Sequence, residues 1–241
     1  MRPFDPSFIL EVFPQLLPYL SVTLYMLLGT VIFGSLLGFI LARAKVRRRR
    51  VPKLLADIYI VALRCTPPIV LLFIVFYGLP ELLMYILGVD INSFYRGLFV
   101  LVTFTLLFAA SISEVMRTAY EAVDVGQREA AVSVGMSEFQ AFYRIVLPQA
   151  VIVALPNFGN ALINLMKDGS LAYTIGLIDI MGQGTLIISR NYGSYALETY
   201  IALAVIYLSI TILIEKSLGA LEKHLSKGKR GIAVRRRNIW I

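Results

Sequence analysis

The sequence predicts an all-α protein, a bundle of about five helices that cross a membrane. Of its 241 residues, 58% are hydrophobic and only 16% are charged, whereas a soluble domain has roughly 45–50% apolar and about 25% charged residues. The apolar residues form long runs between short charged stretches. A helix of about 20 apolar residues crosses the hydrocarbon core and satisfies its backbone polar groups internally, so these runs predict spanning helices.

Five apolar runs are candidates for spans. They cover residues 20–42, 54–79, 97–112, 150–166 and 195–214. The second run is interrupted at 64–68 by the sequence Arg-Cys-Thr-Pro-Pro. The apolar segment 170–181 is too short to cross, so it is either a re-entrant or interfacial segment or part of a sixth, bent span. We expect one transmembrane domain over residues 1–241, with its core at about 18–220.

Basic residues indicate the orientation. The loop 43–53 carries seven lysines and arginines, and the stretch after Ile214 carries eight. Because basic loops remain in the cytoplasm, this loop and the basic tail 216–241 are predicted to be cytoplasmic and the N-terminus to lie outside. The polar loop 118–149 then also falls in the cytoplasm. This arrangement accounts for the net charge of +8, so we expect membrane lipid rather than nucleic acid as a partner.

The sequence contains few of the residues that catalytic and metal sites use. The chain has one cysteine, Cys65, and one histidine, His224, and it lacks the HExxH and GxSxG patterns of metal and serine hydrolases. It also lacks the G-x-x-x-x-G-K-[ST] loop that cradles nucleotide phosphates. We therefore expect no enzyme activity and no cofactor in this chain, and any ATP must bind to a partner.

Two glycines in the first run, Gly34 and Gly38, form a GxxxG pattern. Small residues at this spacing let two membrane helices approach closely. Glycine is also common in membrane helices in general, so the pattern alone leaves open whether it marks a contact.

The loop 118–149 predicts two helices joined by a glycine turn. Asp124 is placed to accept from the free N–H groups of a first helix over about 127–134. Gly135 can adopt the left-handed conformation that ends a helix. Ser137 and Gln140 then form a capping box for a second helix, which Pro148 bends or restarts.

The same loop resembles the "EAA loop" of bacterial ABC importer permeases: EAA, three residues, G, nine residues, I-x-LP. The matching positions are Glu129, Ala130, Ala131, Gly135, Ile145, Leu147 and Pro148. The resemblance implies that this loop couples the permease to a separate ABC ATPase subunit. It also implies a type I importer fold, a second permease subunit (the same chain or a related one), and a bacterial cell membrane location.

Three further stretches are similar to the polar amino-acid subfamily of these permeases. They are Arg64-Cys-Thr-Pro67 with the later Phe76-Tyr-Gly-Leu-Pro80, then Glu114-Val-Met-Arg117, and Lys167-Asp-Gly-Ser170. Cys65 and Gly169 depart from the usual pattern. The likeness implies import of a polar amino acid received from an external solute-binding protein, which would dock on the outer loops 80–95 and 182–195. The segment 170–181 is most similar to cystine importers.

Polar groups at membrane depth are the candidates for the substrate path, because such groups face protein or water rather than lipid. They are Arg64, Thr66, Pro67, Glu114, Arg117, Asn160, Asn164, Lys167, Asp168 and Ser170. Structural alternatives stand beside each role. Glu114 and Arg117 have the i, i+3 spacing of a helix ion pair, Arg64 can extend its guanidinium to the cytoplasmic surface, and the asparagines can hydrogen-bond between helices.

An amino-acid transporter driven by an ion gradient is the alternative to the ABC permease. Such folds often contain paired inverted repeats with interrupted helices in both halves. The sequence shows no convincing internal repeat.

Overall fold

The computed structural model describes residues 4–47 and 49–226, so residues 227–241 of the predicted tail lie outside the described part of the chain. The helices are α1 (Pro6–Val46), α2 (Arg50–Cys65), α3 (Pro68–Leu87), α4 (Arg96–Glu121), α5 (Val125–Ser133), α6 (Glu138–Ala141), α7 (Leu147–Gly169), α8 (Ile180–Arg190) and α9 (Ala196–Ser226). A π-helical turn, Phe142–Val146, precedes α7, and a 3-10 turn, Ser170–Ile175, follows it.

Five helical segments of the described chain are long and apolar enough to cross a membrane. They are Pro6–Val46, Pro68–Leu87, Arg96–Glu121, Glu138–Ile175 and Ala196–Ser226. The predicted all-α class and the five spans are confirmed. No sixth span occurs in the described residues: the segment 170–181 continues α7 as the 3-10 turn and then leads into α8, which is too short to cross.

The second crossing is divided into α2 and α3, with Thr66 and Pro67 between them in extended conformation. Each of these residues precedes a proline, which disfavours the helical conformation, so the interruption predicted at 64–68 is confirmed. The Phe76 ring packs edge-on against Phe99 at a centroid distance of 5.3 Å, and the Tyr59 hydroxyl donates to the Leu106 carbonyl at 2.9 Å. These contacts place the break beside the first half of α4, between Phe99 and Leu106.

Both predicted outer loops are shorter than expected. Helix α3 continues through Pro80 to Leu87 and ends where Gly88 takes a φ of 67°, so the first outer loop is confined to 88–95. The second, expected at 182–195, is mostly helical because α8 fills residues 180–190. The polar cap Asp179 accounts for that helix, since its carboxylate accepts from the Gly182 N–H at 2.9 Å.

Helix α4 lies at the centre of the bundle and packs along α1, α3 and α7. Half of its most apolar stretch is buried, more than in any of the other four spans. A central core forms around it from Leu72, Phe99, Phe104, Phe108, Ile112 and Leu165. A second cluster, from Val12, Leu16, Ile180, Ile187, Leu203 and Ile206, joins the first half of α1 to α8 and α9.

The closest packing is the seam between α1 and α4, which run parallel. A Cβ atom placed on Gly34 would lie 2.8 Å from the Phe108 ring and 3.3 Å from the Thr105 carbonyl oxygen. On Gly38 it would overlap Ile112 and lie 3.2 Å from the Ala109 carbonyl oxygen. The GxxxG pattern therefore marks a real helix contact, in which the absent side chains let the two backbones meet.

We predict that Gly38→Ile destabilises the folded protein in detergent by about 1–3 kcal/mol, because the added carbons overlap the Ile112 side chain and press on α4 backbone atoms close behind it. Thermal unfolding followed by intrinsic fluorescence measures the effect. Gly219→Ala is the matched control, since a Cβ there meets nothing within 4 Å. Equal melting temperatures for the two variants would show that the seam is not tightly packed.

Candidate functional site

The predicted loop folds as helix, glycine turn and second helix. The Asp124 carboxylate accepts from the Gly126 N–H at 2.7 Å and starts α5. Gly135 has a φ of 91° and turns the chain. A capping box follows: the Ser137 hydroxyl oxygen accepts from the Gln140 backbone N–H at 3.2 Å, and the Gln140 side-chain carbonyl accepts from the Ser137 backbone N–H at 2.9 Å. We call this unit, residues 124–146 with the π-helical turn included, the α5–α6 hairpin.

An ion pair closes the α5–α6 hairpin. The Arg128 guanidinium donates to both Glu138 carboxylate oxygens, at 2.7 and 2.8 Å. The two residues lie on opposite arms, and a bidentate pair of this kind fixes orientation as well as distance. Because the pair is exposed to solvent, it adds little to the free energy of folding. Its effect is to hold the two arms of the hairpin at a fixed angle.

The residues of the EAA motif have different environments. Glu129 and Ala130 are exposed, whereas Ala131 is only 6% exposed and packs inside the hairpin. The Met136 N–H donates to the Ala131 carbonyl at 3.1 Å and helps to close the turn. Because the Ala131 methyl group is buried, a larger side chain there would disturb the packing of the hairpin. The surface offered to a partner therefore includes the first two motif residues and excludes the third.

Ile145, Leu147 and Pro148 lie where the hairpin joins α7. The Leu147 N–H donates to the Phe142 carbonyl, which makes the wide turn of a π-helix. Pro148 is the second residue of α7 and has no N–H, so one backbone hydrogen bond is missing where the π-helical turn meets α7. The chain is helical without interruption from Glu138 to Gly169, so the second arm of the hairpin and α7 form one continuous helix.

Sequence reasoning missed the apolar surface of the hairpin. Phe139 and Tyr143 are 74% and 61% exposed, with stacked rings 6.1 Å apart, and Val134 is 76% exposed. The Phe158 ring contacts Phe108 near the middle of the bundle. Phe139 lies 19 residues before Phe158, about 28 Å along a helix, while half the hydrocarbon core is about 15 Å thick. This distance predicts that these apolar side chains face water rather than lipid.

A stripe of polar side chains runs along α7. Asn157, Asn160 and Asn164 are exposed on one face of the helix, and Lys167 and Asp168 extend that face toward its C-terminal end. Ser170 follows and donates its hydroxyl to the Lys167 carbonyl at 2.6 Å. Exposed amides along the apolar length of a membrane helix are unfavourable in lipid, so this face requires water or protein beside it.

The helix break places Arg64, Thr66 and Pro67 beside the first half of α4. Arg64 is exposed and has no ion-pair or hydrogen-bond partner in the described part of the chain. The Thr66 hydroxyl donates back to the Ala62 carbonyl at 2.8 Å. Pro68 begins α3, so the free N–H groups and positive dipole end of α3 lie close to Arg64 in the sequence.

Glu114 and Arg117 belong to an ion-pair network that joins three helices. The Arg117 guanidinium donates to Glu114 at 2.7 Å, and Lys45 of α1 contacts both Glu114 and, at 2.8 Å, Asp57 of α2. Arg117 also contacts Glu121. The sequence spacing identified the Glu114–Arg117 pair but gave no signal that Lys45 and Asp57 join it, because they are distant along the chain.

The sequence analysis did not anticipate that Asp179 is buried. Asp179 lies between the fourth and fifth spans and is 2% exposed. Burial raises its pKa to about 6, against the hydrogen bonds from Gly182 and from the Thr23 hydroxyl at 3.4 Å. The Tyr207 hydroxyl is buried without a hydrogen-bond partner among the described residues. An acid within the apolar run Ile175–Met181 was the signal available in the sequence.

Comparison with known proteins identifies the class. Residues 34–227 match the family model for the binding-protein-dependent transport system inner membrane component. The chain is 42% identical over 232 residues to the L-cystine transport system permease protein TcyL of Bacillus subtilis (strain 168), covering 96% of this chain and 95% of that protein. It is 36% identical to the probable amino-acid permease protein YxeN of the same organism, covering 95% and 100%.

A solved structure shows the same fold. The crystal structure of an amino acid ABC transporter with histidines contains a chain that superposes with a TM-score of 0.79 at 30% identity, covering 92% of this chain and 100% of that one. This chain therefore belongs to the family of inner membrane components of binding-protein-dependent transport systems. It is a multi-pass permease subunit of an ABC importer with the type I fold. The relatives are non-catalytic permeases, which confirms that the chain is not an enzyme.

We predict that the buried Asp179 makes the protein less stable as the pH rises. The pKa is about 6 in the fold and 3.8 in the unfolded chain, so the folded state holds the extra proton between these values. Stability is then lost as the pH rises through that window, by up to about 3 kcal/mol. Asp179→Asn keeps a helix-capping oxygen and should remove this loss.

Melting temperatures of wild type and variant in detergent, compared from pH 5 to pH 8, test this. The gap between Asp179→Asn and wild type should be larger at pH 8 than at pH 5. Asp90→Asn, in an exposed loop, is the control for a general loss of one negative charge. A pH-independent gap would contradict the assignment.

Proposed function

We propose that this permease subunit carries a polar amino acid into the cytoplasm, driven by ATP that binds to and is hydrolysed by a separate ABC ATPase. The observation that carries the proposal is the α5–α6 hairpin, which combines the EAA motif with an apolar surface outside the membrane. A membrane protein has no need of exposed aromatic rings in water unless another protein covers them.

The ATPase contact follows from the exposed side chains. Phe139, Tyr143 and Val134 supply apolar contact area, and aromatic residues often dominate the energy of an interface. Glu129 lies on the exposed side of α5 and is available to a basic group at the edge of the contact. Ala130 lets backbones approach closely, while Ala131 and Gly135 set the shape of the turn.

The hairpin acts as a lever on the path. The Arg128–Glu138 pair keeps its arms together, and Ile145, Leu147 and Pro148 continue it into α7. When the ATPase pair closes on ATP, the hairpins move, and each α7 moves with its hairpin. Alternating access follows, because α7 carries the polar face: the path opens to the outside on ATP binding and resets on hydrolysis.

The substrate path runs along the polar stripe of α7 and past the helix break. An amino acid has a carboxylate and an ammonium group. Arg64, beside Thr66, Pro67 and the positive end of α3, suits the carboxylate. Asp168 suits the ammonium group, and Asn160, Asn164, Lys167 and Ser170 supply polar contacts between. Five spans enclose no path alone, so a second permease subunit, identical or related, completes it.

Glu114 and Arg117 have a different place in this proposal. Their charges are paired with each other and with Lys45, and the same lysine pairs with Asp57. The network fastens α2 to α1 and α4 at the cytoplasmic end. We infer that Glu114 and Arg117 position the inner half of the divided span, which lines the path, rather than contact the substrate.

The cytoplasmic membrane is the proposed location, with the N-terminus outside and the C-terminus inside. The basic loop 43–53 supports this orientation, and it places the α5–α6 hairpin in the cytoplasm beside the ATPase. The opposite face holds the loop 88–95 and the end of α8, where an external solute-binding protein would dock. Among amino acids, L-cystine is the leading candidate, supported by the 42% identity to the cystine permease.

We predict that Phe139→Ala with Tyr143→Ala weakens ATPase binding by roughly 30-fold or more, since truncation of an interface anchor costs about 2 kcal/mol. The measurement is the amount of ATPase that copurifies with the tagged permease in mild detergent, identified by mass spectrometry. Leu28→Ala with Ile32→Ala, exposed but within the membrane span, is the control and should retain the ATPase.

Two outcomes separate the claims. If the wild-type chain itself retains no ATPase, the ABC mechanism fails and a gradient-driven transporter becomes the leading hypothesis. If wild type retains it and the aromatic double variant does so equally, the permease role stands but these rings do not anchor the contact.

We predict that Asn160→Leu with Asn164→Leu lowers ATP-dependent uptake of labelled L-cystine into proteoliposomes at least about tenfold, while the ATPase still copurifies. Leucine is stable in a membrane helix but removes the polar face from the path. Ser209→Leu, an exposed polar position on α9, is the control. Unchanged uptake in the asparagine variant would place the path elsewhere, and competition by other unlabelled amino acids in wild type would reveal a broader substrate range.

A further inference from the structure

Helix α1 has two opposite faces of different character. Thr23, Thr30, Gly34, Gly38 and Ala42 form the buried face against the rest of the bundle. The opposite face, which we call the outward stripe, consists of Leu24, Leu28, Ile32, Leu36 and Ile40, between 42% and 63% exposed. Sixteen residues separate its ends, about 24 Å of helix, or most of the hydrocarbon thickness.

The outward stripe ends in positive charge. Arg43 lies seven residues after Leu36 and continues the same face of α1, and Arg47 follows directly after the last residue of the helix. Both are exposed, and so are Arg49, Arg50 and Lys53 at the start of α2. No carboxylate lies within ion-pair distance of these five cations in the described part of the chain.

The single paired cation of this region faces the other way. Lys45 contacts Asp57 and Glu114 on the inner side of α1, so the acidic groups nearby are already used. In the described part of the chain, Lys45 therefore holds the corner between α1 and α2 in place, and the five cations point outward without an ion pair, with Lys53 alone sensing the charge of Asp57. A fixed group of cations beside an apolar stripe matches an anionic headgroup above acyl chains.

We propose that Arg43, Arg47, Arg49, Arg50 and Lys53 bind the phosphate headgroup of an anionic phospholipid whose acyl chains lie along the outward stripe. The site rests on the cytoplasmic placement of this corner proposed above. A protein occupant fits the stripe less well. Helix contacts in membranes use small residues, and α1 has its glycines on the face that α4 already covers, whereas the outward stripe holds only bulky leucine and isoleucine.

The test uses the purified permease with its ATPase in detergent, titrated with phosphatidylglycerol or with phosphatidylcholine, and native mass spectrometry to count bound lipid. Arg43→Gln with Arg47→Gln should weaken phosphatidylglycerol binding by roughly 30-fold, about fivefold for each arginine, and leave phosphatidylcholine binding unchanged. Lys216→Gln with Lys223→Gln removes the same charge from α9 and should have little effect. Equal losses in the two double variants would show general charge attraction and overturn the site.

Two further measurements keep the proposal testable if the arginine variant does not fold. The first is the salt dependence of lipid binding by wild type, and the second tests whether another protein copy occupies the stripe. Wild-type phosphatidylglycerol binding should fall steeply as salt is raised while phosphatidylcholine binding does not, and salt-independent binding would overturn the proposal. Ile40→Cys on a Cys65→Ser background should form no disulfide-linked dimer under mild oxidation when lipid covers the stripe. Efficient disulfide cross-linking of two copies would show that a second permease subunit lies there instead.

Discussion

The contact between α1 and α4 is the interaction on which the rest of the structure depends. Lipid provides no hydrophobic force between helices, so close packing must hold them together. Gly34 and Gly38 let the α1 backbone meet that of α4, and α4 in turn supports α3 on one side and α7 on another. The divided span and the polar face of α7 are therefore both positioned by α4, which the close approach at Gly34 and Gly38 holds against α1.

The polar features fall at definite depths along this frame. Where α1 meets α2, Lys45 joins three helices through carboxylates. Beside the first half of α4, the α2–α3 break leaves Arg64 unpaired among the described residues, and along α7 the amides face outward from the single chain. A charged side chain that is paired within one subunit can be explained by a structural role. Charges and amides left exposed at membrane depth require a second subunit or an aqueous path, and this distinction orders the candidate residues.

Local physics in the sequence predicted most of the fold. Apolar length gave the five spans, consecutive prolines gave the break at 64–68, and the capping residues gave the α5–α6 hairpin. What it missed depends on distance along the chain or on helix ends. Lys45 and Asp57 meet only after α2 folds back, and α3 extends past Pro80 because a glycine, rather than the proline, ends it. Aromatic exposure at Phe139 depended on which face of α6 the hairpin buries, which no spacing rule supplied.

The GxxxG pattern shows why one signal can be both weak and decisive. In the sequence, glycine is too common in membrane helices for Gly34 and Gly38 to prove a contact, and only the partner backbone settles the matter. Once α4 occupies that face, the residues on the opposite side of α1 must point away from the core. The bulky outward stripe, and the arginines that end it, thereby become a consequence of the same packing that builds the core.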